Sequence, residues 1–377
     1  MSSGARLDRR NLIRIGARGT AVAAGTAALA APFVLASDSG STSDQPSHDH
    51  QHGGSTVQNE HGGHDHNLTV GDVDIARLGW DPVDVLTDFD YGTVAETRAD
   101  GTAVREWQIV AYDKEIEIAP GVFFPAWTYN GRVPGPTLRA NEGDLLRIHF
   151  VNAGSHPHTM HFHGIHSAYH DGVAGIGRGN VEVGDSHTYE FTAKPFGVHL
   201  YHCHASPLKR HLHKGLYGAF IVNPDPARRG DKAKERHPDH AESQKWQELV
   251  MVMNAFDTNF DSANEVYAIN SVAFHHMKNP IVIDKTRPVR VYLVNVIEFD
   301  LLNSFHLHAN FFDYYDTGTN LEPTLRTVDL IQQVQAQRGI LEFTFAEHED
   351  GIYMFHAHVA EFTELGWMAA FDVRSAS

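Results

Sequence analysis

The sequence has one cysteine, Cys203, so an intramolecular disulfide is excluded. Basic residues are scarce: 30 Lys and Arg stand against 47 Asp and Glu, a formal charge of −17. That balance argues against nucleic acid or an anionic membrane face as partner. Long apolar runs are also missing. Residues 19–35 form a moderately apolar stretch rich in Ala, Gly and Thr, and no other run is long enough to span a bilayer. What is present is a 377-residue chain with 42% hydrophobic and 20% charged residues, enough for two or three folded domains.

The N-terminus carries a twin-arginine pair, Arg9 and Arg10, ahead of that apolar stretch. Val34, Leu35 and Ala36 form a small-residue cleavage pattern. Residues 1–36 are therefore expected to be a twin-arginine signal peptide, with a membrane anchor as the alternative. The expected destination is periplasmic or extracellular, with no membrane contact after cleavage. Residues 37–100 read as a His/Gly/Ser-rich linker and N-terminal extension. Its His48, His50, His52, His61, His64 and His66 are either loose metal scavengers or part of a solvated tail.

Beyond about residue 102, short β-rich runs alternate with turn signals. Runs at 105–112, 145–152, 188–192 and 218–222 are punctuated by Pro134-Gly135-Pro136 and Glu142-Gly143-Asp144. Further runs follow at 249–254, 289–295 and 341–345. This spacing predicts an all-β protein built of sandwiches or barrels. The expected divisions are domain 1 over 101–224, a charged linker over 225–246 and domain 2 over 247–377. The halves repeat each other. Val151-Asn152 precedes His161-Phe162-His163, as Val294-Asn295 precedes His306-Leu307-His308. Glu190-Phe191-Thr192 leads to Gly197 and His202-Cys203-His204; Glu342-Phe343-Thr344 leads to Gly351 and His356-Ala357-His358. Two copies of one sandwich follow from this internal repeat.

Residues i and i+2 of a strand share a face, so each His-x-His projects two imidazoles side by side. Four such pairs at duplicated positions supply eight imidazoles, too many for one ion and suited to a copper cluster. Cys203 lies between two of them and points to the opposite face. A thiolate with two imidazoles is the ligand set of a blue-copper electron-transfer site. His158 and His211 supply the imidazoles, with His213 as an alternative to His211. The second copy lacks this set: Asn303 replaces His158, Ala357 replaces Cys203, and no histidine occurs over 362–367. The repeat kept its cluster ligands and lost its mononuclear ligands, which packing alone does not predict.

These motifs resemble those of the multicopper oxidases, and within them the two-domain, laccase-like enzymes. The resemblance covers roughly residues 105–373 and includes His161 to Gly164, His202 to His204, both later His-x-His pairs and the segment from His211 to Leu216. It implies two cupredoxin-like Greek-key β-sandwich domains and four coppers per chain. His158, Cys203 and His211 would hold the type 1 copper. His161 and His306 would hold type 2, and His163, His202, His204, His308, His356 and His358 the type 3 pair. Leu216 stands where many members carry an axial methionine, which implies a raised potential. The eight-residue gap between Cys203 and His211 is longer than the family commonly shows. Asp171, before Gly172, would serve proton delivery, although Asp-Gly is also a common turn. Glu361 is a weaker carboxylate of the same kind; His166, Tyr169 and His170 read as packing or hydrogen-bonding neighbours. His275-His276-Met277 reads as a surface turn more than as a soft metal site.

The resemblance further implies a homotrimer, with domain 1 of one chain facing domain 2 of the next. O2 and a small reductant, a phenol, Cu(I), Fe(II) or Mn(II), would be the substrates. A copper nitrite reductase is the alternative enzyme, but it needs fewer histidines and has aspartate where His161 stands. A copper storage or resistance protein is the alternative of a different class; loss of the mononuclear ligands from one repeat alone speaks against it.

Overall fold

The computed structural model describes residues 69–164 and 167–375. The expected signal peptide, the six tail histidines and His166 lie outside the described residues. The all-β expectation holds, and the helices are short. No helix among the described residues is long and apolar enough to cross a membrane.

The first sandwich pairs two sheets. One runs Phe89–Asp90, Thr137–Asn141, Tyr217–Asn223, Gly197–His202 and His161–Phe162. The other runs Thr93–Thr97, Ala103–Ala119, Leu145–Asn152 and Ser186–Thr192, with Val122–Tyr129 paired to the long strand. Trp107, Phe150, Phe162, Tyr189, Tyr201 and Phe220 fill the space between them. The second sandwich is built alike. A six-stranded sheet includes Gln247–Phe256, Val289–Asn295 and Arg338–Phe343; a five-stranded sheet includes Leu302–Leu307, Gly351–His356 and Met368–Arg374. Phe305, Leu341, Phe355, Trp367 and Phe371 form its core.

Strand Tyr217–Asn223 is buried at every position, where a strand with one wet face would alternate. Its Phe220 and Val222 face the first core. Tyr217, Ala219 and Ile221 pack with Val250, Val252, Tyr292 and Val294 of the second domain. The two domains thus share a third apolar core. A buried ion network runs beside it: Arg139 donates to Glu248 (2.6 Å), and Arg290 reaches Glu248 (3.1 Å) and Glu342 (2.7 Å).

The segment read as a linker is ordered. It forms helices Pro226–Arg229 and Ala241–Gln244, and its Arg236 is buried against Glu342. The described part of the N-terminal extension is ordered as well. It starts helix Ile75–Leu78 on an Asp74 cap, pairs Phe89–Asp90 with Thr137 and Leu138, and accepts the Val250 amide at Leu86 O.

Candidate metal centre

Strand Gly197–His202 carries the pivot of the site. Tyr201 and Cys203 point into the first core, whereas Val198 and Leu200 face the second domain, and His202 follows the latter parity. Side-chain alternation thus sends the thiol one way and the flanking imidazoles the other, as the spacing predicts.

On the thiol side, Cys203, His158 and His211 converge. Cys203 Sγ is 3.2 Å from His211 Nδ1 and 3.9 Å from His158 Nδ1, and the two nitrogens are 3.2 Å apart. Three donors around one first-row metal at about 2.0–2.3 Å stand roughly 3.5–4 Å apart in a trigonal plane. The set fits one small ion. All three residues are buried. Burial pushes His158 down to about 3 and His211 to about 4, with neighbouring imidazoles adding to the effect. Both rings are thus neutral and able to ligate. Burial also pushes the Cys203 thiol up to about 11, so a bound cation is what would hold it as thiolate. The Thr159 amide lies 3.3 Å from Sγ and donates toward it. Trp127 packs on both imidazoles, at ring distances of 5.2 and 4.8 Å.

The structure places His211, and not His213, beside Cys203. Helix Leu208–His213 carries both, and two residues of helix turn the side chains about 200° apart. His213 is buried on the other side among Phe124, Phe260 and Phe299, where its Nε2 accepts the Asp257 amide. The helix also absorbs the long gap after Cys203. Leu216 is fully buried and its carbonyl accepts the Cys203 amide.

On the other face, His161, His163 and His202 gather, with His163 Nε2 and His202 Nε2 2.9 Å apart and His204 5.2 Å from the His161 ring. The second domain repeats this with His306, His308 and His356: Nε2 of His308 and His356 are again 2.9 Å apart, and His358 lies 5.3 Å from His306. Supporting contacts repeat too. His202 Nδ1 donates to the Cys203 carbonyl, as His356 Nδ1 does to that of Ala357. Thr159 Oγ1 accepts the His204 amide at 2.8 Å; Ser304 Oγ accepts that of His358 at 2.8 Å. Burial and the neighbouring rings hold His163 and His202 down at about 3 and lower His308 and His356. Each set is a rim of imidazoles held by contacts from behind, as metal-binding histidines are.

Asp171 lies at this rim. His161 Nδ1 donates to its carbonyl (2.8 Å) and is 3.2 Å from its carboxylate. Sequence reasoning missed the counterpart. Asp329 accepts from His306 Nδ1 at its carbonyl (3.0 Å), with its carboxylate 3.5 Å away. Asp329 has no Asp-Gly signature; only asking the repeat for a partner to Asp171 would have found it. Glu361 is exposed on helix Ala360–Glu364, and its electrostatic neighbour is Tyr267. His170 Nδ1 pairs with His187 Nε2 at 3.3 Å, and Tyr169 lies edge-on to His170. The surface turn expected at 275–277 is corrected. His275 and His276 begin helix His275–Lys278 and are buried, and Met277 alone of the three is exposed.

Comparison with known proteins agrees with this geometry. Multicopper oxidase family descriptions match residues 112–227 and 242–377. A crystal structure of a multicopper oxidase is 53% identical, with TM-score 0.73, and the match covers 80% of this chain and all of that one. Laccase-2 of Botryotinia fuckeliana is 41% identical over 102 residues, 26% of this chain and 17% of that protein. A copper-containing nitrite reductase of Neisseria gonorrhoeae is 33% identical over 118 residues, 30% of this chain and 28% of that protein. The chain thus spans less than a third of these two curated relatives.

Proposed function

The chain belongs to the multicopper oxidase family, an oxidoreductase family whose members use copper, and from that premise we propose a laccase-like reaction. In it, a small reductant, a phenol or one of Cu(I), Fe(II) and Mn(II), would be oxidised one electron at a time and O2 would be reduced to water. Copper, four ions per chain, would supply the one-electron steps and the four-electron reduction when bound. His158, Cys203 and His211 would hold the type 1 ion, His161 and His306 the type 2 ion, and His163, His202, His204, His308, His356 and His358 the type 3 pair. The observation that carries this reading is the pivot at Cys203. One strand end presents a thiol to a buried two-imidazole pocket and imidazoles to the opposite rim.

The residues have distinct tasks. Trp127 and the buried pocket keep bulk water from the thiol. The Cys203 backbone joins that pocket to His202 and His204 through covalent bonds. Asp171 holds the His161 tautomer and sets a carboxylate where protons for water formation are consumed.

The two imidazole rims lie on different domains, and His358 is exposed. This supports a cluster completed between chains, domain 1 of one against domain 2 of the next, in a closed homotrimer. The twin-arginine pattern supports export to the periplasm or beyond; fractionation of cells expressing the full chain tests it. The reaction is tested by O2 uptake with a phenolic donor, beside nitrite turnover and a copper count. O2 consumption with four coppers per chain is expected. Two coppers per chain, nitrite turnover and no O2 uptake would replace this reading with nitrite reduction.

A further inference from the structure

Among the described residues, four pairs of histidines bring ring nitrogens within 3.3 Å of each other. Three stand in the sets described above: His158 with His211 (3.2 Å), His163 with His202 (2.9 Å) and His308 with His356 (2.9 Å). The fourth, His170 Nδ1 with His187 Nε2 at 3.3 Å, belongs to none of them. Two nitrogens bound to one ion at about 2.0–2.1 Å with tetrahedral angles stand roughly 3.3–3.4 Å apart. The fourth pair has that spacing.

Two separate elements hold the rings. His187 lies on strand Ser186–Thr192, opposite Phe150, with its ring edge-on to Tyr189 at 4.7 Å. His170 closes the short helical turn Ala168–His170, where its amide donates to the Ser167 carbonyl (3.0 Å). A glycine-rich loop packs on this turn: the Arg178 amide donates to the Tyr169 carbonyl (3.0 Å), and a Cβ at Gly177 would be 2.3 Å from that oxygen. Both rings are half-exposed, and Ser167, Ala168, Tyr169 and Ser186 beside them in the chain are exposed. Water therefore reaches the pair, and burial does not force the rings together. Burial pushes His187 down to about 4, with His170 and Arg178 adding to the effect, so its imidazole is neutral at pH 7 and able to ligate. Arg178 itself donates to the Asn180 carbonyl (2.6 Å). The pair also borders the first rim. Asp171, next to His170, accepts from His161 Nδ1, and the Tyr189 hydroxyl accepts the Met160 amide (2.9 Å).

We propose that His170 and His187 form a further metal site, holding one copper or zinc ion with water completing its coordination. Imidazole nitrogens suit Cu and Zn, whereas Ca and Mg take oxygen ligands. With two protein ligands the site is weaker than the sets at the rims and at Cys203, and a chelator wash empties it before the coppers of the proposed function are counted. It shares no ligand with those sets and stands whether or not the oxidase reading does.

Equilibrium dialysis of the copper-loaded, chelator-washed full chain against submillimolar zinc tests this. Zinc does not displace the resident copper, because Cu binds more tightly than Zn at a given site. The tail histidines contribute equally to every form compared. Wild type is expected to bind one zinc more than His170→Gln and one more than His187→Gln, and the double variant as many as either single one. His149→Gln, which removes a half-exposed imidazole from the neighbouring strand, should bind as wild type does. Circular dichroism checks that each variant folds. Should His170→Gln and His187→Gln both fail to fold, zinc-soaked wild-type crystals decide, with anomalous density expected about 2.0–2.1 Å from both nitrogens. Equal zinc binding in wild type and both single variants, a double variant that loses two ions, the same loss in His149→Gln, or crystals without density between the rings would each overturn the proposal.

Discussion

The two sandwiches place different residues at equivalent points. In the first, the Cys203 amide donates to the Leu216 carbonyl and the Leu216 amide to that of His211. In the second, the Ala357 amide donates to the Trp367 carbonyl and the Trp367 amide to that of Phe362. The backbone is thus conserved between the copies while His158, Cys203, His211 and Leu216 become Asn303, Ala357, Phe362 and Trp367. Trp367 is fully buried against Phe305 and Phe355, and Phe362 stacks on Tyr267 at 4.2 Å. The space that holds a donor set in one copy is filled with rings in the other. The imidazole rims, by contrast, are retained down to the hydroxyls behind them, Thr159 and Ser304. On the proposed reading, an electron-accepting site would be needed once per chain and the rim twice.

Making the first copy like the second should have the largest effect. His158→Asn or His211→Phe is expected to remove turnover of external reductants by about a thousandfold, since the donor set loses a ligand. Steady-state O2 uptake checks this, and retained activity would mean another residue completes the site. A smaller effect is expected from the matched pair Asp171→Asn and Asp329→Asn. Each should lower activity or rim-copper affinity by about 10–100-fold. If only Asp171→Asn does so, the two rims are not functionally equivalent.

These aspartates mark how far the sequence could be read. Period-two spacing and the duplicated motifs revealed the all-β class, several strands of each half and the paired histidines that the structure gathers at the two rims. They did so because ligand spacing on a strand is local. Asp329 was hidden because it reaches His306 through a separate strand connection. The choice between His211 and His213 was hidden because it depends on a short helix that spacing alone does not announce. Burial of His275 and His276 was missed for a similar reason: a helix turn replaced the expected surface loop. The shared interdomain core was also illegible: the run at 218–222 reads as a strand, but burial on both faces does not announce what the second face packs against.

Stability sharpens the comparison further. Trp367→Leu should cost about 3 kcal/mol by opening a cavity, measured by denaturant unfolding. Leu216→Met, nearly volume-conserving, should cost less than about 1.5 kcal/mol and instead lower the potential of the bound copper. A smaller contribution comes from the ion network joining the copies. Burial alone would raise the Glu248 carboxyl, but Arg139 and Arg290 hold it down at about 2. Its folded value lies below its unfolded one, near 4.5. The associated stability is therefore complete above that unfolded value and is lost as pH falls toward about 2. Unfolding followed between these limits should show a loss of roughly 2 kcal/mol that Glu248→Gln removes.

Copper stoichiometry of wild type and Cys203→Ser, read with the thiolate-to-copper absorption band, tests the division between the copies most directly. Four coppers per chain with the band present, falling to three with the band absent, is the predicted result. Loss of all copper in Cys203→Ser, or a band that survives it, would contradict a mononuclear site confined to the first sandwich.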